Sequence, residues 1–459
     1  MSIFDEDKQM NDIDISVVKH SARSRAVWKD YSIYVLPNSH VKIFMNESPL
    51  GVRELDVTPE LLKELFQAVG LEYDSEFSII DAADILIARI NSASVTKVVR
   101  TIHPVGQGAF YSERFLRGDG STAFLAVYDC GVQKTSVELK REIASSFSMD
   151  DEIDVLFISH LDNDHVCGIP TLKKSVKTIK TVVLPLIPAS TQPIYLLMAD
   201  ITLTQILSKP QDFFRGSKIV YVNSVDEDVD NTKSLALPYD TDDEIIVGSG
   251  TRMYVAKFKD WCYIPYNYDA DTLMKAFREE LEARGVQISD MIDLNSYPDR
   301  RKEFKEIYSK VCAKHVNDSS LVVYSGGLNS DYSSKHIYMS ECRSRSSGEG
   351  CLYFGDANLN RTFKTSNSLM YDIAACLLKY NLNCHIGTIQ LPHHGANGNF
   401  NVALLTFGQQ PKVYFASHGE INHYGHPSTA IVGQILANNE SYYGVTERRD
   451  SALWQIINL

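Results

Sequence analysis

The segment Ser159-His160-Leu161-Asp162-Asn163-Asp164-His165 directly follows the apolar run Ile153–Ile158. Four side chains of metal-ligand type fall within six residues: His160, Asp162, Asp164 and His165. Carboxylates crowded this closely repel one another unless something positive lies between them. Imidazole nitrogen and carboxylate oxygen are the donors that borderline-to-hard divalent cations accept. A buried-type strand leads into the loop, so the chain must fold to place the cluster at the rim of a sheet, where polar groups reach solvent or an ion. Alternating residues of a tight loop converge on one point, and the adjacent Asp164-His165 pair reaches a second.

Other apolar runs end in the same way. Val98–Ile102 leads into His103-Pro-Val-Gly-Gln-Gly108, and Ala123–Tyr128 into Asp129-Cys130-Gly131. Cys351–Phe354 leads into Gly355-Asp356, His385–Leu391 into His393-His394-Gly395, and Lys412–Ala416 into Ser417-His418-Gly419. Val182–Pro185 and Ser320–Tyr324 read as further strands, and Asn367–Tyr380 as a helix. Strands that stop at polar, glycine-bearing turns bring reactive groups to one rim. β-rich segments with helices in both halves predict a layered α/β domain over residues 99–459. Residues 190–315 read as an elaboration of that domain, with helices at Tyr195–Leu207 and Asp271–Arg284 and a strand at Arg252–Ala256.

Residues 1–98 read as a separate, small α+β module. Tyr31–Leu36 and Val41–Phe44 flank the turn residues Pro37-Asn38-Ser39, a predicted hairpin. Thr58-Pro59-Glu60 opens a helix whose Leu61, Leu62, Leu65, Phe66 and Val69 repeat at helical spacing before Gly70. A second helix is predicted over Ile79–Ile90. The module carries no reactive cluster and is expected to pack, to bind a protein partner or to mediate oligomerisation.

The 459 residues include 45 basic and 58 acidic ones, a net charge of -13, which excludes a polybasic nucleic-acid coat but not a local basic groove. Residues 1–98 hold 10 basic and 16 acidic residues, so the module without visible chemistry carries -6 of the total. The eight cysteines form no C-x-x-C pair and read as free thiols of a reducing compartment. The N-terminus lacks an apolar signal region, and prolines interrupt the most apolar stretch, Thr181–Leu207, so no membrane span is expected and a cytoplasmic location is.

His160-x-Asp162-x-Asp164-His165 resembles the metal motif of the metallo-β-lactamase fold. The rest resembles the branch typified by the nuclease-like domain of the competence protein ComEC/Rec2. In the order of that branch stand Val105-Gly-Gln-Gly108, Asp129, the 160–165 loop, Gly355-Asp356, His393-His-Gly395, and Ser417-x-Gly419-x-x-Asn422-x-x-Gly425-His426-Pro427. The resemblance implies a four-layer αββα sandwich and a hydrolase using one or two divalent ions. His160 and Asp162 would hold one ion and Asp164 and His165 the second. Asp356 would bridge, and His393 would complete the set, with His394 as the other candidate. Asp129 would brace the loop by hydrogen bonding.

Three departures stand out. Asp162 takes the place of a histidine common in the wider fold, which hardens the site toward Mn²⁺ or Mg²⁺ beside Zn²⁺. Only His315 and His336 lie between the loop and Asp356, neither in a ligand context. Ala109 stands where the competence branch has Asp.

The expected activity is metal-assisted phosphodiester hydrolysis, on DNA, RNA or a nucleotide. Asp164, His394, Asn422 and His426 are the candidate catalytic residues, with Asn422 and His426 donating to the phosphate or leaving oxygen. Lys173, Lys174, Lys177 and Lys180, and Arg343, Arg345, Arg361 and Lys364, are candidate phosphate contacts. A carbon-ester, lactam or thioester hydrolase and a regulatory protein with a degenerate metal site are the alternatives.

Overall fold

The computed structural model describes residues 18, 21–46, 52–133, 136–187, 205–207, 209–224, 234–241, 244–268, 279–280, 282–285, 306, 320–328, 332–339, 341–343, 348–362 and 367–459. The chain divides into two units, residues 1–97 with 116–122 and residues 98–115 with 123–459.

In the first unit, alternation of apolar and polar residues gives four short antiparallel strands in the order β1-β2-β3-β4: Ser24–Trp28, Tyr31–Val35, Val41–Asn46 and Val52–Leu55. The predicted hairpin is β2–β3. β1 and β4 carry Arg25 and Arg53 inside very short runs, which hides their strand pattern. Helix α1 (Pro59–Ala68) begins where Thr58 accepts from the Leu61 amide at 3.2 Å. It ends at Gly70 (φ +74°), whose left-handed backbone lets the Leu71 amide reach the Phe66 carbonyl. Helix α2 (Ile79–Ala93) is capped by Ser78. Leu62, Leu65 and Phe66 of α1 and Leu86, Ile87 and Ile90 of α2 form one core with Ile33 and Ile43.

Apart from residues 95–97, 116–117 and 122, which fall in the first unit, the second unit holds the remaining strands. They are β5 (Val95–Ile102), β6 (Phe110–Arg117), β7 (Thr122–Cys130), β8 (Glu152–Phe157), β9 (Thr178–Pro185), β10 (Lys218–Val222), β11 (Leu235–Leu237), β12 (Ile245–Val247), β13 (Met253–Val255) and β14 (Phe258–Tyr266). After these come β15 (Val322–Gly327), β16 (Ser333–Tyr338), β17 (Glu341–Arg343), β18 (Gly350–Tyr353), β19 (Ile386–Gln390), β20 (Val413–Ser417), β21 (Ser441–Val445) and β22 (Leu453–Asn458). One sheet runs β12-β10-β9-β8-β7-β6-β5-β22-β16-β17 and the other β11-β13-β14-β15-β18-β19-β20-β21.

Each sheet has a parallel stretch, β7-β8-β9-β10-β12 in one and β18-β19-β20-β21 in the other. Helices α3 (Val137–Ser146) and α5 (Ile169–Ser175) bury Leu139, Ile143, Ile169 and Leu172 against the first sheet. The single-turn helix α4 (Asn163–Val166) lies in the loop after β8, and the short helix α6 (Pro210–Phe213) precedes β10. Helices α7 (Leu369–Lys379) and α8 (Thr429–Ala437) bury Leu369, Ile373, Leu377, Ile431 and Ile435 against the second sheet. Between the sheets, Tyr111 and Tyr128 stack on Tyr353, and Phe157 packs on Tyr263. The layers are therefore α, β, β, α, the sandwich that the resemblance implies.

The inter-sheet layer also holds a buried ion pair. Arg100 Nε donates to Glu113 Oε1 at 2.7 Å, with side chains 0% and 3% exposed. Tyr353 OH donates to the same oxygen at 2.9 Å, and Tyr263 OH and Ser325 Oγ donate to Oε2 at 2.8 and 2.6 Å. Every acceptor site of a carboxylate taken out of water is thus answered.

The segment 190–315, expected as an elaboration, contributes β10 to β14, so it supplies strands to both sheets. β14 carries the fully buried Trp261 and pairs along its length with β15. Lys259, Asp260 and Pro265 disguise it in the sequence. Of the expected helix Asp271–Arg284 only residues 279–280 and 282–284 are described, with 279–280 and 282–283 helical, and of Tyr195–Leu207 only the last three. The six cysteines whose side chains are described are all free thiols. Among the described residues no helix is long and apolar enough to cross a membrane.

One surface contact gives a pH prediction. Asp151, just before β8, accepts from Arg114 Nη1 at 2.5 Å and from the Ser148 amide at 2.8 Å. Burial works to raise its pKa, but these bonds outweigh it and hold the carboxyl below its ordinary value. A carboxyl lowered in the folded state contributes stability above its unfolded pKa, about 3.9, and loses it as pH falls through the folded value. Asp151→Asn is expected to cost about 1 kcal/mol at pH 7, with the gap to wild type closing below about pH 3–4. Urea unfolding at both pH values reads it, and an unchanged gap would take the charge out of the account.

Candidate metal centre

The parallel strands of both sheets deliver their carboxyl ends to one place. β7 ends at Asp129-Cys130, β8 runs into the 160–165 loop, β18 into Asp356, β19 into His393-His394, and β20 ends at Ser417. Asp162 stands at the N-cap of α4, and that single turn sets Asp164 beside His165.

The loop is held from behind by Asp129. Its carboxylate accepts from the Ser159 amide at 2.7 Å, from Ser159 Oγ at 2.6 Å and from His165 Nδ1 at 2.7 Å. Ser159 Oγ and Ser320 Oγ lie 2.9 and 3.1 Å from His160 Nδ1. His394 Nδ1 donates to the Ser417 carbonyl at 2.8 Å. In the neutral tautomers these partners assign, His160 and His165 use Nδ1 outward and turn Nε2 inward, while His394 Nε2 meets Asp164 Oδ2 at 3.3 Å. The buried Nε2 atoms of His160 and His165 have no hydrogen-bond partner among the described residues.

Asp356, 1% exposed, sits where those nitrogens point. Its Oδ2 lies 3.9 Å from His160 Nε2 and 3.6 Å from His393 Nε2. Its Oδ1 lies 3.3 Å from His165 Nε2 and 3.8 Å from His394 Nε2. Asp162 Oδ2 is 3.9 Å from His160 Nε2, and Asp164 Oδ2 is 3.3 Å from His394 Nε2. The carboxylate thus divides its neighbours into a His160–Asp162–His393 group and an Asp164–His165–His394 group. Ligand atoms of Asp164, His165, Asp356 and His394 all fall within 4.8 Å of one another, close enough to share an ion.

The electrostatics are those of opposite charges crowded into a largely buried site. Burial pushes His160 down to about 3, with His165 adding to the fall. Burial would also lower His165, but Asp356 and Asp129 overcome it and raise it well above the ordinary value. Asp356 is held well below the carboxylate range because His165, His394 and His393 outweigh its burial. Asp162 is pushed up to about 7, by desolvation first and then by Asp164 and Asp356, although 38% of its side chain remains open. A divalent cation would relieve that crowding, and the inward lone pairs are suited to receive one.

The backbone is strained here. His393 and His394 are consecutive left-handed residues (φ +48° and +55°), and Asp129 is left-handed too (φ +55°). The twist turns the His394 ring into the buried interior and leaves the His393 side chain 33% exposed. His393, the first choice from its position after the strand, therefore lies toward the rim, and His394 is the one that reaches Asp164.

The Val105–Gly108 turn has a packing role. The Ala109 amide donates to the Asp164 carbonyl at 3.0 Å. A Cβ on Gly131 would lie 2.5 Å from the Asp164 carbonyl carbon and the His165 nitrogen. Gly131→Ala is expected to displace the loop, costing about 1–3 kcal/mol in thermal unfolding and about 10–100-fold in metal affinity by titration. Wild-type affinity in that variant would show that the contact does not position the ligands.

Asn422 is used within its own loop. Its Nδ2 donates to the carbonyls of Gly419 (3.1 Å) and His426 (2.6 Å), and its Oδ1 accepts from the His426 amide at 3.1 Å. In this structure both Nδ2 hydrogens go to carbonyls of its own loop, so Asn422 shapes that loop. His426 Nδ1 lies 3.1 Å from the His393 carbonyl, and burial lowers its pKa, so at neutral pH the ring is neutral with Nε2 as acceptor. His418 turns to the Gly419 carbonyl. His336 lies in β16 against Thr388, away from the cluster, and His315 lies outside the described residues.

Lys177 and Lys180 pair with Glu152, and Lys180 also with Asp154. Lys173 sits over the Phe213 ring at 4.2 Å. The Arg343 side chain, Arg345 and Lys364 lie outside the described residues. Sequence reading passed over Ser159, Ser320 and the Ser417 carbonyl. Ser159 adjoins the loop and could have been found, whereas Ser320 lies 160 positions from the histidine it orients.

No protein-family model matches the chain, and no curated protein matches it. Chains of solved structures do match. Among them is a long form of RNase Z from yeast, at 10% identity and a TM-score of 0.24 over 88% of this chain and 43% of that one. The chain thus spans less than half the length of that structure, and a likeness this slight bears no weight for function.

Proposed function

We propose that the chain is a metal-dependent phosphodiesterase of the ComEC-like type, acting on nucleic acid or a nucleotide. The observation that supports it most is Asp356 with two groups of inward-facing donors on its two oxygens, backed by the unpartnered Nε2 atoms of His160 and His165. In this reading His160, Asp162 and His393 would hold one ion and Asp164, His165 and His394 a second, with the Asp356 carboxylate facing both groups. The carboxylate-rich set favours Mn²⁺ or Mg²⁺ beside Zn²⁺.

Divalent ions there supply Lewis acidity and an acidified water. The chain's own residues do the rest. Asp129 fixes the His165 ring and Ser159 and Ser320 fix His160, so the lone pairs are aimed before anything binds. Asn422 holds the 419–427 loop in shape, which sets His426 beside His393 with Nε2 free to take a hydrogen bond or a proton. The test is cleavage of single-stranded DNA, duplex DNA, RNA and cyclic nucleotides with Mn²⁺, wild type beside Asp164→Asn. Metal-dependent cleavage of at least one, lost in the variant, is expected. Cleavage of none would end the reading.

A further inference from the structure

A row of aromatic rings leads out of the buried cluster. His165 and His394 have centroids 6.0 Å apart, His394 and His393 6.1 Å, His393 and His426 5.5 Å, and His426 and Tyr424 6.0 Å. The inner rings of this row are assigned above. Its outer end, Tyr424, has no part in the chemistry, yet it is 58% exposed on the rim of the site.

Tyr424 is not a loose surface residue. Its hydroxyl accepts from Gln133 Nε2. The Gln133 carbonyl accepts from Asn163 Nδ2 at 3.0 Å, and Asn163 precedes Asp164 in the ligand loop. The Gln133 amide donates to the Gln107 carbonyl at 2.8 Å, and Asn422 fixes the loop that carries Tyr424. The polar tip is thus tied to the loops after β7 and β8, while the apolar ring stays in water. Holding a large ring in one orientation without burying it forgoes the usual gain from burial, and presents a fixed planar face to whatever binds next to the site.

Of the basic run after the ligand loop, Lys177 and Lys180 are ion-paired with acidic residues of β8. A flat aromatic face adds a grip that tolerates any base, since every base has a π-face.

We propose that Tyr424 is the stacking platform for a nucleobase neighbouring the phosphate, so that the substrate is a single-stranded nucleic acid rather than a phosphodiester of alkyl groups. This rests on the phosphodiesterase reading of the same site. Tyr424 is a specificity residue and touches no reacting atom.

The test uses the full chain with Mn²⁺ and two oligonucleotide series, DNA and RNA. One carries 2-aminopurine among normal bases and the other carries abasic residues at the same positions. Binding to wild type and to Tyr424→Phe quenches 2-aminopurine fluorescence, and Tyr424→Ala loses the quenching. The preference in kcat/KM for base-bearing over abasic strands falls about tenfold or more in Tyr424→Ala and falls less in Tyr424→Phe, which keeps the ring but loses the tie to Gln133. Quenching and preference both retained in Tyr424→Ala overturn the inference and leave the phosphodiesterase reading standing. Tyr424-dependent quenching without cleavage overturns that reading and leaves the platform. Neither binding nor cleavage overturns both.

Discussion

Asp356→Asn will reduce metal-dependent cleavage by at least about 100-fold, since even residues that only support metal ligands cost about 10–100-fold. The carboxylate stands 3.3–3.9 Å from the Nε2 atoms of four histidines, two on each oxygen. An asparagine keeps one acceptor oxygen, removes the charge that holds the histidines together, and turns an NH₂ donor toward nitrogens that need an acceptor or an ion. Steady-state rates with Mn²⁺ and the metal content of the purified variant measure the effect. Activity within tenfold of wild type, at full metal content, would show that Asp356 is not shared between the two groups.

The second large effect is on stability. Glu113→Ala leaves Arg100 buried at 0% exposure without its counter-charge, and leaves Tyr263, Tyr353 and Ser325 without an acceptor. Breaking a buried pair from one side costs about 3–5 kcal/mol, a large share of the roughly 5–15 kcal/mol that holds a protein folded. Urea unfolding should show the midpoint collapse, with Glu113→Gln intermediate because the amide keeps one acceptor. The doubly apolar change, Arg100→Met with Glu113→Leu, should recover much of the loss, because no charge is then stranded. A loss under about 1 kcal/mol in Glu113→Ala would mean that solvent reaches the layer between the sheets.

What could be read from the sequence was what lies close together in it. The 160–165 loop holds its donors within six positions behind an apolar strand, so both the strand and the cluster were visible. The Thr58–Gly70 helix was visible because its cap, its apolar spacing and its stop are all local. The choice between His393 and His394 was not visible, because two successive left-handed residues decide which ring turns inward, and φ cannot be read from a pair of identical letters. The partners of Asn422 were not visible either, since they are backbone groups of its own loop, reached only once the loop has folded. β14 was missed because Pro265 and the Lys259-Asp260 pair interrupt the apolar pattern, whereas the antiparallel partners on both sides make it a central strand.

The donors around Asp356 come from the ends of strands in two different sheets, with nearly two hundred residues of chain between the 160–165 loop and Asp356 itself. Neither half of the molecule therefore carries a weaker version of the centre. The first sheet alone brings His160 to His165 with nothing to share, and the second brings Asp356, His393 and His394 with nothing to face. On the proposed function, activity would be tied to completion of the sandwich: a nascent or partly unfolded chain would lack the centre altogether. For an activity directed at phosphodiesters, that all-or-none dependence would itself be a safeguard against the unfinished molecule.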